Sequence, residues 1–481
     1  MKARIVFFIF LLCLLSACGK EKKDTTIIFG VAQKPQNFDP SSATDAASER
    51  INRLLYSYLF NYDDSFTVNS KLVDWRYDGN LHYSFTLKEN LPFFTNMEQM
   101  NINDIVNSIQ YLKDSKTSRY RQELSIIESI KINSLKTFQI TLKKFDPNFL
   151  NRLEIPILPN KLLKKDHIFS LLPVGSGPFS IVSKENKIEF KRKSDNQVIE
   201  FLEIKDPTVR ALKLMRNELD IIQNDLPLAT VDFLRKQSNI IVQEKAGSNI
   251  SYLGFNFNNK YLQIKEVRAA IEMAINKHTF LAYFFNKKTR SANQLFPPEH
   301  WVHASLTPNN YDPDKAREII KKYNNGETIE IVYKTSTDPF RMKVATIIQN
   351  QLAPIGVKLT IKSLDWGTYF RDIQAGNFDM YSLTWVGIKN PNIYEKIFLS
   401  KNIPPLGLNR GHYKNIEFDS LVKKSLDSNL WSPTIRFIFN DVAFIPLWFE
   451  GNVVAHSKKI KFYNLKNDGN WDSLISIEKS Q

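Results

Sequence analysis

The chain has only two cysteines, Cys13 and Cys18, and both lie within its first twenty residues. The rest of the chain therefore cannot contain a disulfide framework, a cysteine-ligated zinc site or a catalytic thiol. Long hydrophobic runs are missing too: the run at residues 5–15 has 11 residues, whereas a membrane-spanning helix needs about 20. With 481 residues, 43% of them hydrophobic, the chain can bury a large core without disulfides. We expect a globular protein of about three domains or two large lobes.

Acidic residues are fewer than basic ones. There are 50 Asp and Glu against 65 Lys and Arg, which gives a net charge of +15. Acidic residues are interleaved with the basic excess almost everywhere, a pattern that indicates a basic surface and not a nucleic-acid-binding tail. We therefore expect no nucleic-acid partner.

Motifs of catalysis and metal binding are also missing. The sequence contains no His-Glu-x-x-His and no Gly-x-Ser-x-Gly. Ser420 and Lys423 fit a Ser-x-x-Lys pattern, but its companion motifs are absent. His300 and His303 have a ligand-like spacing, yet no cysteine or carboxylate cluster accompanies them, and the glycine-rich residues 175–178 predict a tight turn, not a phosphate loop. The sequence predicts a non-enzymatic protein without a metal or cofactor.

The N-terminus has the organisation of an export signal. Two basic residues precede the apolar run, and the run ends in Leu-Ser-Ala-Cys18, which resembles the lipobox of bacterial lipoproteins. The resemblance implies a signal peptide over residues 1–17, a lipid on the Cys18 thiol and a polar tether over residues 18–24. An ordinary signal peptide with an incidental cysteine is the alternative. With a lipidated Cys18, the protein is expected in the cell envelope, anchored to a membrane and facing the periplasm or the cell exterior.

Helix and strand signals alternate after the tether. Helical spacing of apolar residues predicts helices over 46–60 and 267–285. A strongly amphipathic helix is predicted over 341–352, followed by a Pro-Gly break and a strand over 357–361. This order of elements indicates an α/β protein.

Short motifs follow one another in a fixed order over nearly all of the remaining chain. They include NFDP at 37–40, PVGSGPF at 173–179, YLGFN at 252–256, IQNQLAPIGV at 348–357 and HYKNIEFD at 412–419. Together they resemble the family 5 extracellular solute-binding proteins, the oligopeptide- and dipeptide-type receptors of ABC importers.

The resemblance implies an α/β fold: a two-lobed periplasmic-binding-protein clam-shell with an extra N-terminal subdomain. Lobe one would comprise residues 25–60, 172–255 and 455–481. The extra subdomain would be residues 61–171, and lobe two residues 256–454. A ligand would be enclosed between the lobes.

The function that the resemblance implies is a lipid-anchored, monomeric substrate-binding protein. It would capture a peptide or peptide-like solute and deliver it to the permease subunits of an ABC importer. Alternatives are a receptor for haem, a nickel chelate or an oligosaccharide, and a regulatory or chaperone protein that shares the fold. The residues that match the family's ligand-binding cleft are Val31, Ala32, Gln33, Tyr120, Trp366, Trp385, Val386, Gly387, Ile388 and Lys389.

One position departs from the family pattern. Peptide receptors carry an aspartate three residues after the cleft tryptophan, where it pairs with the peptide α-ammonium; here that residue is Ile388, followed by Lys389. An apolar residue cannot balance a buried cation, so binding is not expected to depend on a free α-amine. Lys389 could instead favour an anionic group. The alternative is that another acid, Asp365 or Glu395, replaces the missing aspartate.

Overall fold

The computed structural model of this chain describes residues 26–43, 45–63, 65–163, 167–184, 187–285 and 288–480. The predicted signal peptide and Cys18 lie outside the described residues. Within them, helices and strands alternate, as expected of an α/β protein. No helix in these ranges is long and apolar enough to cross a membrane.

The α-helices of the described residues are short. Their bounds are Ala46–Leu55, Ile102–Asp114, Arg121–Leu124, Asn160–Leu163, Pro207–Met215, Leu228–Arg235, Lys265–Ala274, Lys277–Phe284, Pro313–Tyr323, Pro339–Leu352, Trp366–Ala375, Ile393–Phe398, Ile416–Ser428 and Ser432–Asn440. Short 3-10 helices occur at Phe149–Leu153, Ala353–Ile355, Ser400–Asn402 and Asp472–Ile475.

Two predicted helices are shorter than the sequence pattern indicated. The helix predicted over 46–60 ends at Leu55, where the backbone N–H of Gly177 donates to the Leu55 carbonyl at 2.8 Å. A Cβ at Gly177 would lie 2.4 Å from the carbonyl oxygen of Leu54, so only glycine allows the turn to pack on the helix end. The helix predicted over 267–285 is divided at Asn276, whose N–H bonds the Gln351 side chain at 3.1 Å.

A seven-stranded sheet forms the core of one large unit. Its central strand pairs in parallel with both neighbours, while the outer pairs are antiparallel. In spatial order the strands are Ile240–Lys245, Asn452–Ser457, Ile221–Gln223, Ile27–Val31, Val198–Glu203, Lys187–Arg192 and Phe179–Lys184.

A six-stranded sheet forms the core of another large unit, with separate hydrophobic clusters that cover it. Its order is Arg290–Ser291, Phe444–Phe449, Ile250–Phe255, Met380–Trp385, Ile329–Ser336 and Val357–Leu364. The last strand follows the amphipathic helix Pro339–Leu352 and pairs in parallel with its neighbour, which forms the α/β unit predicted from the sequence.

Smaller elements complete the fold. An antiparallel four-stranded sheet has its own hydrophobic core and comprises Val73–Gly79, His82–Leu87, Thr137–Leu142 and Ile127–Ile132. Two-stranded ribbons pair Asn61–Tyr62 with Val68–Asn69, and Ile460–Lys461 with Glu478–Lys479.

The chain passes between the two large sheets through residues 246–249 and 450–451. These crossings are adjacent, because the N–H of Glu450 donates to the Asn249 carbonyl at 2.8 Å. We call residues 26–245 and 452–480 the seven-stranded unit, and residues 250–449 the six-stranded unit.

Sheet pairing shifts two of the expected lobe limits. The strand Ile250–Phe255, expected in lobe one, pairs in the six-stranded sheet, and residues 452–454, expected in lobe two, pair in the seven-stranded sheet. The chain therefore leaves one large sheet and enters the other at residues 246–249 and 450–451, the two adjacent crossings.

Candidate functional site

The segment 385–389 follows a strand of the six-stranded sheet and lies at the boundary with the seven-stranded unit. The strand ends at Trp385, and Gly387 has φ +68°, a left-handed conformation that favours glycine. The N–H of Gly387 donates to the Asn249 side chain at 3.1 Å, which ties the segment to a crossing. Val386 is exposed, whereas Ile388 is only 8% exposed and packs in a core cluster of the six-stranded unit.

Lys389 extends from the six-stranded unit into the seven-stranded unit. Its Nζ lies 3.3 Å from Glu154 Oε1 and 3.6 Å from Asp468 Oδ2, and it lies over the Tyr62 ring at 5.5 Å from the centroid. The side chain is 11% exposed. Lys389 is therefore an internal cation held by two carboxylates of the seven-stranded unit.

The charge of Lys389 lowers the pKa of both carboxylates that lie beside it, Glu154 and Asp468. Burial alone would raise the pKa of Glu154, but the charges of Lys389 and Arg53 more than offset it and hold that pKa below its ordinary value. The same balance of burial against Lys389 lowers the pKa of Asp468. Arg53 Nη1 donates to Glu154 at 2.8 Å. Both carboxylates are therefore charged near neutral pH, and cations of the chain itself already pair with them.

A second set of contacts joins the two units further along. Lys396, on the helix Ile393–Phe398, forms an ion pair with Glu123 of the seven-stranded unit, and Glu123 also accepts from Arg152 at 3.2 Å. Asn148 of the seven-stranded unit donates to Asn429 of the six-stranded unit at 2.8 Å. Two lysines of the six-stranded unit, Lys389 and Lys396, thus contact acids of the seven-stranded unit.

A cavity of about 290 Å³ lies beside Lys389. This volume is just below the usual range for small-molecule sites, about 300–1,000 Å³. Cations and carboxylates both line it: its residues are Arg53, Tyr62, Asp63, Phe66, Lys389, Lys466, Asn467, Asp468 and Asp472. Among the described residues that line this cavity, Lys389 is the only one that the sequence predicted for the ligand-binding cleft.

The two predicted tryptophans belong to one row of stacked side chains in the six-stranded unit. Trp366 is 52% exposed and stacks on Phe370 with ring centroids 6.1 Å apart. The Arg410 guanidinium follows, 5.2 Å from the Phe370 centroid and 5.0 Å from the Trp385 centroid. Trp385 in turn stacks on Tyr252, with centroids 6.0 Å apart. The structure thus brings Trp366 and Trp385 into the same row, with Arg410 between them.

The predicted residues of the seven-stranded unit lie elsewhere. Val31 is buried at the end of the central strand, its carbonyl accepting from Ile204 N–H at 2.8 Å, while Ala32 is half-buried and Gln33 exposed. None of the hydrogen bonds or ion pairs among the described residues connects these three to the six-stranded unit.

Tyr120 is buried in the core of the four-stranded sheet, with the Arg119 guanidinium 5.2 Å from its ring centroid. Burial raises the pKa of its phenol, against the opposing charge of Arg119.

The sequence patterns missed Glu154, Asp468 and Arg410. No local signal marks them, because Glu154 is 235 positions from Lys389 and a lone charged residue in a chain of this composition is unremarkable. Among the described residues there is no group of three or more potential metal ligands, and the contacts of His300 are with the chain itself. His300 Nδ1 accepts from the Val302 N–H, and its Nε2 donates to the Lys389 carbonyl at 3.1 Å.

Comparisons with known proteins agree with this architecture. The pattern of the bacterial extracellular solute-binding proteins, family 5 Middle, matches residues 67–402. The di/tripeptide-binding protein 1 of Pseudomonas aeruginosa is 27% identical over 413 residues, which cover 76% of each protein. The glutathione-binding protein GsiB of Escherichia coli K12 is 25% identical over 488 residues, with 93% of each chain covered.

The fold is similar to that of solved structures. The oligopeptide-binding protein AppA of Bacillus subtilis, in complex with a nonapeptide, superimposes with a TM-score of 0.82 at 21% identity, over 95% of this chain and 99% of that one. The predicted fold class is confirmed by this similarity. The family's members bind solutes and are not enzymes. Because the family pattern covers more than half of the sequence, the chain belongs to the bacterial extracellular solute-binding proteins of family 5.

Proposed function

We propose that this protein is a lipid-anchored receptor that binds a peptide or peptide-like solute between its seven-stranded and six-stranded units and delivers it to the permease subunits of an ABC importer. These units would be its two lobes, with the four-stranded sheet as the extra subdomain of lobe one. Relatives named for binding di- and tripeptides and glutathione support the ligand class. The observation that carries the proposal is Lys389, whose side chain reaches Glu154 and Asp468 of the seven-stranded unit beside a cavity of about 290 Å³.

A thermal-shift screen tests the ligand class. An equimolar library of di- and tripeptides is added to purified protein that has been unfolded and refolded to remove bound solute. Ligand at 100 times its Kd adds about 2.7 kcal/mol to stability, which raises the melting temperature measurably. Haem, nickel-histidine and oligosaccharides serve as comparison ligands. A shift with one of these and none with the peptides would refute the peptide assignment.

We further infer that the ligand needs no free α-amine. Ile388, at the position of the aspartate in peptide receptors, packs in the core of the six-stranded unit, and the acids nearest to Lys389 are already paired with Lys389 and Arg53. The alternative acids have other surroundings: Asp365 caps the helix Trp366–Ala375 by accepting from Thr368 N–H at 3.0 Å. Glu395 is half-buried on the helix Ile393–Phe398.

Paired free and N-acetylated peptides test this inference by calorimetry on the wild-type protein. We expect the two forms to bind within a few-fold of each other. An aspartate at position 388 is unsuitable for the test, because it would be buried without a partner. A large loss of affinity on acetylation would contradict the inference and require a carboxylate near the ligand amine.

Anchoring rests on Cys18 and has its own test. Labelling with radioactive palmitate should disappear in Cys18→Ser, and the protein should move to the soluble fraction. Cys13→Ser is the matched control, because Cys13 lies within the predicted signal peptide and should leave labelling unchanged. Persistent labelling of Cys18→Ser would refute the lipid anchor.

A further inference from the structure

The described part of the chain begins at one edge of the seven-stranded sheet, close to the end of another of its strands. Thr26 precedes the central strand, and its carbonyl accepts from Lys479 Nζ at 2.7 Å. The same ammonium donates to Asp220 Oδ2 at 2.8 Å, and the N–H of Ser457 donates to the Asp220 carbonyl at 2.9 Å. The strand Asn452–Ser457 therefore ends beside Thr26.

Exposed lysines follow the end of that strand. They are Lys458, Lys459 and Lys461. Lys461 lies opposite Glu478 in the two-stranded ribbon that also contains Lys479. No ion pair within the described ranges includes any of the three exposed lysines. Their charges are therefore available to an anionic partner.

An aromatic side chain stands beside these lysines. Phe462 is 67% exposed, and its φ of +60° is a left-handed conformation that is rare and costly for a bulky residue. The backbone thus holds a large ring out into the solvent next to three cations. Lysines together with an exposed aromatic ring are typical of segments that lie in the headgroup region of a membrane. We call residues 458–462 the basic edge.

The tether brings a membrane within reach of the basic edge. The chain from Cys18 to Thr26 spans eight peptide units, so a lipidated Cys18 lies at most about 29 Å from Thr26. The predicted tether over residues 18–24 is itself basic, with three lysines and two acids. Because Thr26 lies beside the end of the strand that precedes the basic edge, a lipid anchor would hold this edge close to the lipid surface.

We propose that the basic edge is a docking surface for the anionic phospholipid membrane that holds the anchor, with its lysines on the lipid phosphates and the Phe462 ring among the headgroups. The proposal rests on the lipid anchor of the proposed function and adds an orientation to it. The strand Asn452–Ser457 runs from the crossing at 450–451 to the basic edge. The crossing therefore lies at the opposite end of this strand, and docking leaves the boundary with the six-stranded unit facing away from the lipid.

Vesicle flotation tests the proposal with the chain from residue 18 onward that carries Cys18→Ser and therefore no lipid. It should bind vesicles of equal parts phosphatidylglycerol and phosphatidylcholine and not vesicles of phosphatidylcholine alone. Binding should disappear in about 1 M salt, where the Debye length is about 3 Å. Each lysine near an anionic lipid surface strengthens binding about fivefold, so replacing all three lysines of the basic edge by glutamine should weaken it about 100-fold.

A second triple variant is the matched control. It replaces three exposed lysines of the helix Pro313–Tyr323, in the six-stranded unit, by glutamine: Lys315, Lys321 and Lys322. The net charge changes by the same amount on a different surface, so vesicle binding should weaken by less than about threefold. Equal losses in the two triple variants would overturn the proposal, because the overall charge and not the basic edge would then cause the binding.

Phe462→Asn separates a binding role from a structural one. Asparagine tolerates the left-handed conformation, so the melting temperature should be unchanged or higher. Vesicle binding should weaken about tenfold, because the ring no longer leaves water for the headgroup region. A lower melting temperature with intact vesicle binding would overturn the proposal and assign Phe462 to the fold.

Other outcomes distinguish this proposal from the function on which it rests. Equal binding to both kinds of vesicle, or to neither, would overturn it while the receptor function and the anchor stand, because the test chain carries no lipid. A dimer that the basic-edge variant dissociates in sedimentation velocity would also overturn it and assign the surface to contacts between copies of the chain. Palmitate labelling that persists in the full-length Cys18→Ser chain would refute the anchor and leave the measured vesicle binding unaffected.

Discussion

Replacing Lys389 by methionine removes the cation that joins the six-stranded unit to the acids of the seven-stranded unit. Methionine keeps most of the side chain's length and apolar stem, so the substitution tests the charge. In the variant, Glu154 retains only Arg53 as a cationic partner among the described residues, and Asp468 loses the ammonium 3.6 Å away.

The structure gives the size of the effect. At an effective dielectric constant of about 20, a pair of unit charges at 3.3 Å contributes about 5 kcal/mol, before the cost of desolvating both groups. Most of that gain is offset by desolvation, because the Lys389 side chain is only 11% exposed. Because Glu154 keeps Arg53, we expect a net loss of about 1–3 kcal/mol in the free energy that holds the two units together.

A double-mutant cycle with Glu154→Gln measures this interaction without any ligand. Urea unfolding of the wild-type protein, Lys389→Met, Glu154→Gln and the double variant should give a coupling free energy of about 1–3 kcal/mol. Lys401→Met is the control, because Lys401 is exposed and forms no ion pair within the described ranges. Additivity within about 0.5 kcal/mol would refute the reasoning, because it would mean that Lys389 and Glu154 do not interact in solution.

The remaining predictions concern pH and the crossings between the sheets. Burial lowers the pKa of His300 to about 4, so the folded state favours the neutral ring. In the unfolded chain the ring has its ordinary pKa of about 6.5. The contribution of His300 to the free energy of unfolding is therefore complete above about pH 6.5 and is lost as the pH falls from there towards 4. Between pH 7 and pH 5, urea unfolding should show a loss about 2 kcal/mol larger in the wild-type protein than in His300→Gln, and equal losses would contradict the assignment. Gly247→Ala should destabilise the protein by about 2 kcal/mol or more, because the added Cβ would lie 1.7 Å from the Glu450 carbonyl oxygen. Gly367→Ala is the control, because the new Cβ at position 367 meets only the Asp365 side chain, at 3.4 Å. The melting temperature of Gly367→Ala should be unchanged or higher than that of the wild-type protein. Equal losses of stability in the two variants would contradict the steric argument.

Local sequence signals predicted the elements whose ends are set by their own residues. The helix Pro339–Leu352 and the strand Val357–Leu364 were predicted because apolar spacing and the Pro-Gly break lie within one short segment, and Gly356 indeed has φ +86°. Helix ends set by distant contacts were not predictable in this way. The helix Ala46–Leu55 ends where a turn more than a hundred residues later packs on it.

The same distinction explains which residues of the site the sequence revealed. Trp366 and Trp385 were identified through a resemblance of motifs, and the structure connects them through Phe370 and Arg410. The partners of Lys389 could not be found, because acids from two distant segments meet only in the folded chain. Likewise, the strand Ile250–Phe255 is buried throughout, so its composition does not show which sheet it joins.

Mass spectrometry of the protein purified from its own cell envelope tests the central claim most directly. Native spectra should show the chain with one bound solute, and denaturation should release that solute for fragmentation. We predict a compound with at least one peptide bond. Release of a haem, a nickel chelate or an oligosaccharide instead would contradict the account of this protein as a receptor for peptide-like solutes.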